Sequence, residues 1–159
     1  MREFVRRHRR ELDETPTAIV NVDSVSHGES VRYLVSQGPA ISQPLDAGLI
    51  ELCDSLAAAD REGEDRFRAA PLRYPQIDDA LPAAIRGVSA ITIIDSFDGN
   101  QAPWYHRPDD VPEHVDAETL TRATDFALGL ARLLDRDAGR RFAGGTSEEH
   151  LDSTEAERV

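Results

Sequence analysis

His106 lies in the stretch Pro103-Trp104-Tyr105-His106-Arg107-Pro108-Asp109-Asp110, between two prolines and beside two large aromatics. Each proline locks its own φ and drives the residue before it into an extended conformation, so the loop is stiffened on both sides of the histidine. Far upstream, the apolar run Ala18-Ile19-Val20-Asn21-Val22 ends abruptly in Asp23. Imidazole nitrogen and carboxylate oxygen are donors that zinc accepts. Two donors do not make a site. Taken singly, Asp23 also suits a turn with Ser24 and Gly28, and His106 an ordinary polar loop.

The two residues can meet only if they sit at one edge of one sheet, so the elements carrying them matter. Residues 18–22 read as a short buried strand with Asp23 at its C-terminal edge, where α/β proteins present ligands and catalysts. Residues 31–36 alternate and stop at Gly38-Pro39. The strongest strand is 88–94, and its expected turn, Asp98-Gly99-Asn100, leads towards the histidine loop. Helical spacing marks residues 2–12, with Phe4, Val5, His8 and Leu12 on one face. It also marks 45–59, which places Cys53 inward as a core residue. A third helix spans 117–134, with Leu120, Ala123, Ala127, Leu130, Ala131 and Leu134 as its core face. Residues 79–86 read as a short helix or turn, and 60–73 as a charged surface connection. The pattern predicts an α/β fold with one domain over 1–137 and an acidic, disordered tail over 138–159.

Composition narrows the classes. With 159 residues and 40% hydrophobic content the chain is large enough for a real core. The net charge is -12, and all 18 basic residues are arginine. Dispersed acidic charge of this kind predicts a salt-adapted source, a halophilic archaeon. No basic stripe interleaved with aromatics appears, so no nucleic-acid partner is expected. No run of 18 apolar residues is present, so no membrane helix is expected. The basic start lacks an apolar signal core, and a cytoplasmic location follows as the expectation. A single cysteine, Cys53, rules out an internal disulfide.

Three short motifs, in order, carry a resemblance. They are Asn21-Val22-Asp23-Ser24-Val25, then Gly87-Val88-Ser89-Ala90, then His106-Arg107-Pro108-Asp109-Asp110 before the helix that starts at Asp116. Together they resemble the second half of the di-zinc aminopeptidases, the aminopeptidase Y and bacterial leucyl aminopeptidase-like zinc exopeptidases. That family typically shows N-x-D, G-I-P-A and H-T-P-x-D-T at these places. Ser89 stands for its proline, Arg107 and Val111 for its threonines, and Asp79-Ala80-Leu81-Pro82 resembles its S-D-H-x-P segment. The resemblance implies a three-layer zinc-exopeptidase (phosphorylase/hydrolase-like) fold, a mixed sheet flanked by helices. It implies two zinc ions, with Asp23 a ligand of one and His106 of the other, and a peptide substrate. Tyr105 matches a tyrosine that in some members hydrogen-bonds the tetrahedral intermediate, a role open beside plain aromatic packing. Asp110 matches a loop carboxylate that braces or orients, and His27, outside the family's pattern, is expected to be solvent-exposed.

The family also needs a bridging aspartate in H-x-D and a Glu-Glu pair, both upstream of the N-x-D strand. Neither precedes Asp23 here, and the chain's one Glu-Glu pair, Glu148-Glu149, falls in the acidic tail. The chain is therefore expected to be the C-terminal portion of a zinc aminopeptidase, inactive alone and seeking a complementary upstream half or forming a homo-oligomer. The alternative is a catalytically inactive α/β remnant or partner-binding domain.

Overall fold

The computed structural model describes residues 1–15, 17–39, 41–96 and 104–137. The expected turn at Asp98-Gly99-Asn100, Pro103, and the tail with Glu148 and Glu149 lie outside the described residues.

The most buried stretch of the chain makes the centre of the sheet. Strand β5 (Ser89–Ser96) contains Ala90, Ile91, Thr92 and Ile93, all fully buried. A strand covered on both faces reads as an unbroken apolar run, which is why its sequence stands out. Strand β1 (Ala18–Val22) runs parallel to β5, from Ala18 opposite Ser89 to Val22 opposite Ile93. Strand β2 (Ser30–Gln37) runs antiparallel to β5 on its other side, from Ser30 opposite Ser96 to Tyr33 opposite Ile93. Two residues, β3 (Gln43–Pro44), pair antiparallel with the end of β2. Strand β4 (Ala70–Tyr74) pairs parallel with β2, with a register shift between Leu34 and Ser36. The sheet is mixed, and among the described residues β1 is an edge strand.

Helices cover both faces. On one side α3 (Ala47–Glu62) and α5 (Ala117–Asp137) close over Val31, Tyr33, Ile91 and Ile93 with Leu49, Leu52, Cys53, Ala123, Phe126 and Leu130. On the other, α1 (Arg2–Arg7) and α4 (Leu81–Ala84) bring Val5, Ala80 and Ala83 against Val88 and Ala90. The result is the expected α/β architecture in three layers. Both long helices start at an aspartate. The Asp46 carboxylate accepts from the Leu49 N–H at 2.9 Å, and Asp116 accepts from the Thr119 N–H at 2.7 Å, each satisfying an orphan donor of a first turn.

Several expectations are corrected. The N-terminal helix is broken at His8 into α1 and α2 (Arg9–Glu14); Val5 is buried, but Phe4 is 48% exposed. Residues 60–73 are not all surface connection, since β4 begins at Ala70. On α5 the core line runs through Thr119, Ala123, Phe126 and Leu130, while Leu120 is 42% exposed and Ala131 is exposed. Phe126 decides this rotation. Its ring stacks on Tyr33 at 6.1 Å and meets Phe67 edge-on at 5.4 Å, and burying one large aromatic outweighs exposing one leucine.

Candidate metal site

Asp23 extends β1 by one further backbone bond. Its N–H donates to the Ile93 carbonyl at 3.0 Å, and the Asp95 N–H then donates to the Ser24 carbonyl at 3.3 Å. Ser24 adopts a left-handed φ of 52°, which turns the chain away from the sheet. The Asp23 side chain is left exposed at the C-terminal edge. It accepts one hydrogen bond among the described residues, from Ser24 Oγ at 3.2 Å, so most of its acceptor capacity is open.

The connection that follows is pinned to the end of β5. The Gly28 N–H donates to Asp95 Oδ2 at 2.6 Å, and Thr119 Oγ1 donates to the Gly28 carbonyl at 2.7 Å. The histidine loop closes on this connection at both of its ends. Trp104 Nε1–H donates to His27 Nε2 at 2.9 Å, and the Asp116 N–H donates to the Ser26 carbonyl at 2.9 Å. Asp23 and the His106 loop thus share the C-terminal edge of the β1–β5 pair. His106 itself is exposed, at a left-handed φ of 58°, with its ring stacked on Tyr105 at 4.0 Å. Asp110 is exposed and its N–H donates to the Arg107 carbonyl at 3.0 Å, an internal brace of the loop.

His27 is not solvent-exposed as expected. It is half-buried, bonded to Trp104 and, through Nδ1, to Ser26 Oγ at 2.5 Å. A lone polar residue between two serines and a glycine gives no sign of this in sequence; the one available hint was the tryptophan beside His106, whose indole N–H needs a partner when covered.

Asp23 also lines an open cleft of about 590 Å³ with Glu3, Ile77, Asp78, Asp79 and Pro82. Asp79 and Pro82 belong to the 79–82 segment singled out in sequence, which meets the end of the N-x-D strand here. His106 is not among the lining residues. Behind the cleft, Asn21 Nδ2 donates to Thr92 Oγ1 at 3.4 Å, and Gln37 Nε2 donates to the same oxygen at 3.3 Å. Gln37 Oε1 in turn accepts from the Asp78 N–H at 3.4 Å. The asparagine of the N-x-D motif thus joins a buried polar chain that ends at the cleft wall.

As donors, Asp23 and His106 have the right chemistry for zinc. As a site they are incomplete. Among the described residues no group of three or more His, Cys, Asp or Glu side chains is placed to hold a metal ion, so these residues alone do not fit a catalytic zinc centre. Cys53 adds no ligand, being fully buried with its thiol pushed up to about 12 by burial and by the neighbouring Asp54 charge.

A solved glutaminyl cyclase from an Acidobacteriales bacterium is similar in structure, with a TM-score of 0.58 and 20% sequence identity. The likeness covers 85% of this chain and 45% of that one, so the present chain spans less than half of the cyclase's length. At that identity it shows a common fold, the mixed sheet flanked by helices. None of the curated proteins searched matches the sequence. The model of peptidase family M28 matches residues 2–131. The chain belongs to peptidase family M28.

Proposed function

We propose that this chain carries one half of the metal centre of a zinc-dependent aminopeptidase, with Asp23 and His106 each contributing a donor to a different one of two zinc ions. The observation that carries the reading is the closure of the His106 loop onto the connection that follows Asp23, through Trp104–His27 and Asp116–Ser26. Family membership supports a metallopeptidase in the broad sense. The bridging carboxylate and the general base come from an H-x-D and a Glu-Glu motif that these residues do not supply. A complementary polypeptide segment that seats against the edge of β1 left unpaired among the described residues is the partner this reading requires, because an edge strand offers a row of N–H and C=O groups for pairing. Tyr105, whose ring stacks on His106, is the residue this reading assigns to contact a bound peptide.

The test is a zinc titration by calorimetry on the chain alone, with Asp23→Asn and His106→Gln in parallel. Weak binding that each variant weakens further supports the reading. Tight binding that ignores both variants overturns the assignment of these two ligands. The lack of a three-donor group among the described residues also favours a second reading, an inactive α/β domain kept for partner binding, for which neither variant alters any zinc response.

A further inference from the structure

His106 sits in a backbone conformation that a non-glycine residue holds at a cost of about 1–2 kcal/mol. Such strain persists only where neighbouring structure enforces it. What encloses the loop is a row of three rings from three parts of the chain. Trp104 lies between His27, edge-on at 4.5 Å, and His114, tilted at 4.6 Å. An indole N–H only donates, so the bond from Trp104 Nε1 makes His27 Nε2 an acceptor and leaves the ring proton on Nδ1, facing Ser26 Oγ. His114 is fixed from its own side, its Nδ1 donating to the Asp109 carbonyl at 2.8 Å. The Arg107 N–H donates to the Trp104 carbonyl at 2.8 Å, closing a tight turn around Tyr105 and His106.

We propose that His27 is a positioning residue: in its neutral form it takes the indole N–H of Trp104, and through Trp104 it holds the His106 loop in its left-handed geometry. The importance of that geometry for metal binding rests on the function proposed above; the anchoring itself does not. Among the described residues His27 makes no hydrogen bond or ring contact with Asp23 or His106, and its link to the histidine loop is Trp104.

Trp104 is the chain's single tryptophan, so its fluorescence reports this contact without interference. The experiment compares the full chain with His27→Phe, which keeps a ring and loses the acceptor, and with His27→Gln, whose amide oxygen can accept again. The metal-free protein is used throughout. In His27→Phe the emission shifts to the red, acrylamide quenching rises, and the backbone order parameters of Tyr105, His106 and Arg107 fall from about 0.85 to below about 0.6. In His27→Gln these changes are largely reversed, while circular dichroism stays that of the parent in both. Trp104→Phe, which deletes the donor from the other side, loosens the same three residues. Unchanged emission and order parameters in a folded His27→Phe chain overturn the proposal. Because no zinc is present, that failure strikes the anchor and leaves the ligand assignment to the titration.

Discussion

The backbone N–H of Asp23 and the carbonyl of Ile93 are 3.0 Å apart, joined by a hydrogen bond that carries the β1–β5 pairing one residue past Val22. That bond sets the carboxylate of one strand beside the end of another whose continuation leads to His106. Two residues separated by more than half the chain are brought to one sheet edge by the parallel pairing of Ala18–Val22 with β5. The long connection between these strands carries β2, β3, α3, β4 and α4, so the site depends on the whole sheet being assembled.

The cap of α3 tests that dependence. Asp46 accepts from the Leu49 N–H and also receives Ser89 Oγ at 2.8 Å, tying the helix start to the start of β5. Asp46→Ala removes both bonds and lowers stability by about 1–3 kcal/mol, measured by urea denaturation. Asp46→Ser retains the cap and loses less.

Phe126 is the larger determinant. Fully buried between Tyr33 and Phe67, it leaves a cavity when truncated, and Phe126→Ala costs about 3–5 kcal/mol. Truncating exposed Leu120 changes stability by less than about 0.5 kcal/mol, although the helical spacing alone assigns it to the core. Paired thermal melts of the two variants decide which face α5 buries.

Much of this was legible in sequence, and the misses have physical causes. Strand β5 announces itself because both its faces are covered, and β1 because an apolar run stops at a carboxylate. Strand β4 does not, since Ala70-Pro71-Leu72-Arg73-Tyr74 follows a charged stretch and contains a proline, tolerable because among the described residues only β2 pairs with it. Tertiary pairing made that strand, with no strong local signal. The site shows the same division. The positions of Asp23 at a strand end and His106 in a loop were visible, whereas the contact of His27 arises only from Trp104, 77 positions away in the chain.

Cys53 supplies a chemical probe of global opening. Its thiol is fully buried and raised to about 12, first by burial and then by the charge of Asp54. At pH 8 the native chain reacts with a disulfide reagent only as fast as it unfolds, and urea restores ordinary thiol reactivity. Because the folded value is raised, the stabilisation linked to the neutral thiol is complete below about pH 9, the ordinary thiol value, and is lost as pH climbs towards 12. Cys53→Ala flattens that alkaline decline.

A net charge of -12 makes stability sensitive to ionic strength. Raising potassium chloride from roughly 0.01 M to 1 M shortens the screening length from about 30 Å to about 3 Å and relieves self-repulsion. The melting temperature rises with salt. A melting temperature that falls over this range contradicts the salt-adapted reading of the composition.

The most direct test of the central claim is aminoacyl-nitroanilide hydrolysis in the presence of zinc. The chain is assayed alone and then mixed with a polypeptide carrying the H-x-D and Glu-Glu motifs of an M28 peptidase. An N-terminal glutaminyl peptide is run beside it, since a glutaminyl cyclase shares the fold. The account predicts no significant turnover by the chain alone, because loss of the general base by itself costs roughly 10²–10⁴ in rate. It predicts chelator-sensitive hydrolysis in the mixture that Asp23→Asn and His106→Gln abolish. Robust, chelator-sensitive turnover by the isolated chain contradicts it, and so does a mixture whose activity is indifferent to both substitutions.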